Sequence, residues 1–228
     1  MLIEILKVAL TLCIFIKASL EDLKRREIQD KLWLILIFLS IPLNFIQYTQ
    51  QSFNLAFVLL QFLLTFAFAN IMYYLLNFGG ADCKALICLS LMFPIYPQIF
   101  EFTVKGFIFS LSVLTNSVIF APFIAFYLFI RNALNRNFAK TMFIGYKVKI
   151  DEIPRFHNLL EWVEGDRVVR SLRCVDFDER IVEDLKRFGV EEVWVTPALP
   201  FIVFMTFGFI VAITLGDIIF LIFTIAQP

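Results

Sequence analysis

"FNLAFVLLQFLLTFAFANIMYYLLNFGGADCKALICLSLMF", residues 53 to 93, decides how this chain folds. Positions 53 to 76 form one apolar block, long enough to cross a hydrocarbon core that takes about 20 helical residues. Two glycines, an alanine and an aspartate follow, and then a second apolar run begins. A carboxylate at the centre of a bilayer costs about 2.5 to 3.5 kcal/mol on insertion scales. The pattern therefore places Asp82 at a boundary, where a second crossing starts, and asks what an acid does there.

Outward from this stretch the same blocks recur. The chain has 228 residues, 60% hydrophobic, 17% aromatic and 18% charged. Its apolar residues come in long runs rather than in helix-period or strand-period stripes. The expected fold class is an all-α polytopic membrane protein of six transmembrane helices with a small α/β cytoplasmic domain between helices 5 and 6. The helices are read at 2–20, 31–49, 53–76, 83–99, 106–130 and 198–224. Pro94 and Pro97 shorten the fourth, and Pro42 and Pro122 fall inside spans, where neighbours can satisfy the freed carbonyls. The division is a membrane domain over 1–130, a cytoplasmic insert over 131–197 and helix 6 within 198–228.

Charge sets the orientation. The cluster Lys24, Arg25, Arg26 follows the first apolar run instead of preceding it, so the run is a span and not a secretory signal. The positive-inside rule puts that loop in the cytoplasm and the N-terminus outside. All Lys and Arg except Lys7, Lys17 and Lys105 then fall in inner segments. Trp33, Tyr73, Tyr74 and Trp194 are read as an aromatic belt at inner boundaries. A formal net charge of +0 gives no reason to expect nucleic acid; the lipid bilayer is the partner. Four cysteines without paired CxxC spacing suggest neither a disulfide framework nor a zinc site.

The insert holds twelve basic and twelve acidic residues. "YKVKI", "RVVRSLRCV" and "VEEVWV" read as strands. "DFDERIVEDLKRFG" reads as a helix capped by Asp176 with Glu179. His157, the only histidine, reads as a surface or helix-edge residue.

Among acids at or near the membrane, Glu4 and Glu101 are expected to reach water near outer boundaries. Glu27 and Asp30 belong to the first inner loop, and Asp217 caps or terminates the last helix near the outer face. Asp22 and Asp82 differ. Two crossings separate them and return the chain to the side it left, so both sit at the cytoplasmic edge. Two carboxylates in a partly desolvated place share one proton near neutral pH. One can then take a proton from water while the other hydrogen-bonds a peptide carbonyl. The helix start and Lys84 favour charge on Asp82, and Lys24, Arg25 and Arg26 favour it on Asp22, so the sequence leaves the two roles open. Gly79 and Gly80 read either as a plain turn or as a point of close backbone approach. HExxH, GxSxG, GxGxxG and GxxxxGK[ST] are all missing from the sequence, and Cys83 has no histidine nearby to activate it.

These residues resemble a known group. "EDLKRREIQD" resembles the D-x-[KR]-x-R-x-I-P-N stretch of type IV prepilin peptidases at Asp22, Lys24, Arg26 and Ile28. "GGADCK" resembles the G-x-G-D-x-K stretch of GxGD membrane aspartyl proteases at Gly79, Asp82 and Lys84. Nearly the whole chain resembles the archaeal preflagellin (archaellin) peptidases. The resemblance implies an endopeptidase that removes the short basic leader of archaellin precursors at the cytoplasmic face, just before the substrate's hydrophobic helix. Asp22 and Asp82 would be its catalytic pair, with no cofactor and no metal. Bacterial relatives also methylate the new N-terminus through a cysteine-rich region; this chain has none, so peptidase activity alone is expected. Ala81, Gln29 and Asp30 depart from the pattern, and alanine at 81 resists positive φ. "PALP", with Pro197 and Pro200, coincides with a presenilin motif. Alternatives are a peptidase for pilin-like or other intramembrane substrates, and a small non-catalytic transporter whose path is lined by Asp82, Lys84 and Asp217. The oligomeric state is left open.

Overall fold

The computed structural model describes residues 1–76, 78–100 and 103–226, so Glu101 lies outside the described residues. In chain order its elements are α1 (Leu2–Arg25), α2 (Asp30–Gln50), α3 (Leu55–Tyr74), α4 (Gly80–Met92), α5 (Phe109–Val118), α6 (Ala121–Leu134), β1 (Tyr146–Lys149), β2 (His157–Glu164), β3 (Arg167–Val175), α7 (Glu179–Arg187), β4 (Glu192–Pro197), α8 (Phe201–Thr214) and α9 (Ile218–Ala226). They form two compact units, Met1–Ile119 with Pro200–Pro228, and Phe120–Leu199.

Among the described residues, three stretches are long and apolar enough to cross a membrane: Asp30–Gln50, Leu55–Tyr74 and Phe109–Leu134, of mean hydropathy 1.7, 2.1 and 2.0. In the first unit, α1, α2, α4 and α8 close around Phe15, whose ring meets Trp33 edge-on at 6.0 Å and stacks on Phe209 at 5.8 Å. Asn54 starts α3 by accepting the Ala56 and Phe57 N–H groups at 2.9 and 3.3 Å, as an N-cap should. Beyond it, α3 exposes Leu59, Leu63 and Phe66, the surface a lipid-facing helix presents.

Several expectations change here. The run read as 106–130 is two helices, broken at Ile119 and Phe120, with Pro122 in the first turn of α6. Proline lacks an N–H that a first turn would leave unpaired anyway. The run read as 198–224 is also two helices. Gly216, at φ 94, sits between them, and a side chain there would collide with the Val104 carbonyl. Val104 and Gly216 form a parallel bridge. Asp217 does cap α9, but from inside the last apolar run. Its Oδ1 accepts the Ile219 and Phe220 N–H groups at 3.0 and 3.2 Å, and its Oδ2 accepts the Ser112 hydroxyl at 2.7 Å.

Glu4 does not reach water, and neither does Lys7. They are 2% and 1% exposed. Lys7 Nζ donates to Asn44 Oδ1 at 2.5 Å and to Gln47, whose Nε2 donates to Glu4 Oε1 at 3.3 Å. Burial of charge is tolerated when it is paired and hydrogen-bonded. Trp33 and Trp194 are core residues, buried among apolar neighbours, while Tyr73 and Tyr74 are exposed.

The second unit is a small antiparallel sheet in the order β1-β4-β2-β3 with helices α6 and α7. Ile124 and Leu128 of α6 pack with Tyr146, Leu159, Leu185 and Val195. The three strands read from sequence are present, and β2 is a fourth. α7 is capped by Asp178, which accepts the Arg180 N–H at 2.9 Å, and not by Asp176. His157 opens β2 and its Nε2 lies 2.8 Å from the Tyr146 hydroxyl.

Candidate active site

Buried positions along α1 run Thr11, Phe15, Ala18, Ser19 and Asp22, a helical stripe of three- and four-residue steps that carries Asp22 inward just past the apolar stretch. The helix stops at Arg26, whose φ of 58 is left-handed and whose N–H donates to the Asp22 carbonyl at 3.1 Å. Left-handed backbone is uncommon outside glycine, and here it turns the guanidinium back so that Nη1 lies 3.7 Å from Asp22 Oδ1. Pro200 caps α8, and the Ile202 backbone N–H in its first turn stabilises charge on Asp22. The Ser19 and Thr206 hydroxyls, 2.8 Å apart, join α1 to α8 beside it.

Asp82 is the third residue of α4, behind the cap Gly79. Its carboxyl folds back to accept the Gly79 N–H, the reach from third position to cap that helix starts favour. This explains the glycine at 79: a Cβ there would lie 3.0 Å from Asp82 Oδ2, whereas one on Gly80 would meet only Tyr73 Cε2 at 3.6 Å. Neither glycine needs positive φ. Ala81 lies in the first turn of α4, where alanine is the best helix former, so the departure at 81 leaves the backbone undisturbed.

Asp22 and Asp82 are 8% and 9% exposed. Burial first, and then the charge of Asp22, push the Asp82 carboxyl up to about 7, against the pull of the Gly79 N–H. Burial also raises Asp22, opposed by Arg26 and by the Ile202 and guanidinium hydrogen bonds. The repulsion falls on Asp82, the second of the two to ionise. Two acids sixty positions apart in sequence thus feel each other.

The other residues singled out in the sequence take separate places. Lys84 does not serve Asp82; its Nζ lies 2.6 Å from Asp30 Oδ1, at the start of α2. Lys24 lines a polar cavity of about 410 Å³ with Glu21, Arg25 and Glu27. Pro197 ends β4, paired with His157. Asp217 is engaged in capping α9, so Asp82, Lys84 and Asp217 each have their own partners and no shared set. Among the described residues no three His, Cys, Asp or Glu come together to hold a metal ion. Sequence reasoning missed the Ile202 N–H, although "PALP" marks the helix start that presents it.

Residues 9–130, more than half of the chain, match the type IV leader peptidase family. The chain belongs to that family. It is a membrane protease. Residues 138–218 match the archaeal peptidase A24 C-terminus, type II, a match that runs through the sheet unit and on to Ile218. The chain is 27% identical over 217 residues to a preflagellin peptidase of Methanocaldococcus jannaschii, covering 88% of this chain and 89% of that one. It is 28% identical over 220 residues to a preflagellin peptidase of Methanococcus maripaludis, with 88% and 90% covered. A preflagellin peptidase of Methanococcus voltae is 27% identical over 216 residues, with 88% and 91% covered. Asp22 and Asp82 both fall within the span matched to this peptidase family.

Proposed function

We propose that this leader peptidase is an aspartic endopeptidase that removes the short basic leader from preflagellin-type precursors, with Asp22 and Asp82 as its catalytic pair. The observation that carries the reading is the burial of two acids within reach of each other's charge: burial first, and then Asp22, raise the Asp82 carboxyl to about 7, so that it keeps its proton in part at neutral pH. Arg26 and the Ile202 N–H favour the charged form of Asp22, which makes Asp22 the base and Asp82 the acid. Asp22 takes a proton from water as the oxygen attacks the scissile carbonyl carbon. Asp82 gives its proton to the carbonyl oxygen, forming a neutral tetrahedral diol. On collapse Asp22 returns its proton to the leaving nitrogen, the C–N bond breaks, and Asp82 recovers a proton from the diol.

The site belongs on the cytoplasmic face in this reading, with six crossings, the N-terminus outside and the 131–197 segment inside. The positive cluster at Lys24 to Arg26 supports this orientation, and the even number of crossings between the two acids agrees with their convergence. The names of the aligned preflagellin peptidases support the substrate class. Asparagine replacements test the assignment. Either Asp22→Asn or Asp82→Asn alone is expected to lower cleavage of a tagged preflagellin by about 10²- to 10⁴-fold in a folded protein. Cleavage retained by either variant would overturn the pair.

A further inference from the structure

Each of the two acids leans on one backbone N–H, Asp82 on that of Gly79 and Asp22 on that of Ile202. A peptide unit is planar and rigid, so the direction of an N–H is governed by the residue before it. Before Gly79 stands Phe78, and before Ile202 stands Phe201, the first residue of α8. These two phenylalanines, far apart in sequence, meet edge to face with ring centroids 5.0 Å apart and planes at 80°, the arrangement in which the positive rim of one ring faces the negative face of the other. Each ring stands on fastened backbone. The Phe78 N–H donates to the Met72 carbonyl at 3.1 Å, which ties it to α3, and the Val203 N–H donates to the Pro200 carbonyl at 3.0 Å, which closes the first turn of α8 behind Phe201. Both rings are partly buried against the core that holds Phe15 and Trp33. There is little slack here, since a Cβ on Gly79 would already lie 3.0 Å from Asp82 Oδ2.

We propose that Phe78 and Phe201 are positioning residues for the acid pair, an inference that rests on the peptidase reading: their contact locks the Phe78–Gly79 and Phe201–Ile202 peptide planes against each other and so fixes how the two carboxylates are presented. Leucine at either position keeps most of the apolar volume and loses the edge-to-face geometry. The peptide plane that follows is then freer to turn, and its N–H spends less time on the carboxylate. A carboxylate that loses a hydrogen bond to its charged form holds its proton more tightly. Each replacement therefore acts on its own acid, Phe201→Leu on Asp22 and Phe78→Leu on Asp82. The charged groups that act on the two acids, namely each other and Arg26, stay intact in both. A second aromatic contact supplies the comparison. Phe93, just past α4, meets Phe209 of α8 at 5.8 Å with planes tilted by 50°, and neither of these residues precedes an N–H that serves Asp22 or Asp82.

The test uses the full chain in bilayers with a tagged precursor, at steady state and across pH. Phe201→Leu is expected to lower kcat about tenfold with KM within about twofold of wild type. It should also move the acid limb of the rate profile up by as much as about one pH unit, a tenfold gain in proton affinity, and leave the alkaline limb in place. Phe78→Leu is expected to move the alkaline limb up by a similar amount and leave the acid limb. Phe78→Tyr, which keeps the ring, should restore the wild-type profile, and Phe93→Leu should lower thermal stability without moving either limb. Infrared titration of the Asp82 carboxylic acid band, identified by its loss in Asp82→Asn, reads the Phe78→Leu shift without any substrate. Where a leucine variant does not fold, methionine at the same position replaces it. Limbs that stay put in both variants, or that move equally in Phe93→Leu, overturn the positioning role. If the wild-type chain cuts no precursor, the peptidase reading fails instead, and the infrared titration still decides for or against the ring pair.

Discussion

Replacing Asp82 by asparagine should stabilise the protein while destroying its activity. The Asp82 carboxyl moves from 3.8 in the unfolded chain to about 7 in the folded one. The folded state therefore binds the proton more tightly, and stability falls as pH rises from about 4 to 7, then levels. Three pKa units at 1.36 kcal/mol each set the cost of ionising this buried group at about 4 kcal/mol, an upper bound because a detergent-unfolded chain retains some burial. Asparagine keeps an acceptor for the Gly79 N–H and carries no charge. Thermal unfolding in detergent should show Asp82→Asn more stable than wild type at pH 8, with the gap closing toward pH 4. A variant that is less stable at pH 8, or a gap that does not change with pH, would refute the claim that burial beside Asp22 strains this carboxylate.

Cleavage rate against pH should be bell-shaped, falling on the alkaline side near pH 7 as Asp82 loses its proton and on the acid side, above 3.8, as Asp22 gains one; a flat profile would remove the acid–base roles. Gly79→Ala should lower kcat by roughly 10- to 100-fold by crowding Asp82 Oδ2, whereas Gly80→Ala should stay within about twofold of wild type; steady-state kinetics separate the two. Gly216→Ala should destabilise by on the order of 3 kcal/mol or more, since the position is left-handed and pressed against the Val104 backbone. Thermal unfolding measures it.

Much of this was legible before any coordinates. Apolar blocks mark the membrane stretches because nothing else in a chain needs such runs, and the acids at 22 and 82 are conspicuous because charge is costly there. What escaped was what depends on a partner. The break after Thr214 follows from hydrogen bonds that Asn116, Ser112 and Val104 offer from elsewhere in the chain. β2 was hidden because "HNLLEWVE" does not alternate: Leu159 and Leu160 are adjacent and both buried, and buried Glu161 answers Arg170 and the Trp194 N–H at a register shift. Glu4 looked exposed because a buried polar chain from Lys7 through Gln47 to Glu4 is invisible until Gln47 and Asn44 come alongside. Lys84 looked like a helper of Asp82 on proximity in sequence, yet a helix sends residues two apart to different sides.

The contact between α5 and α8 is so close that a methyl group on Gly208 would strike Ser117 and the Val113 carbonyl. In a saturation mutagenesis screen this seam should therefore reject nearly every replacement, while the outward leucines of α3 accept most hydrophobic ones. The peptidase would then carry an unyielding post on one flank and a freely variable wall on the other, and adaptation to thicker or thinner lipid would be confined to that wall.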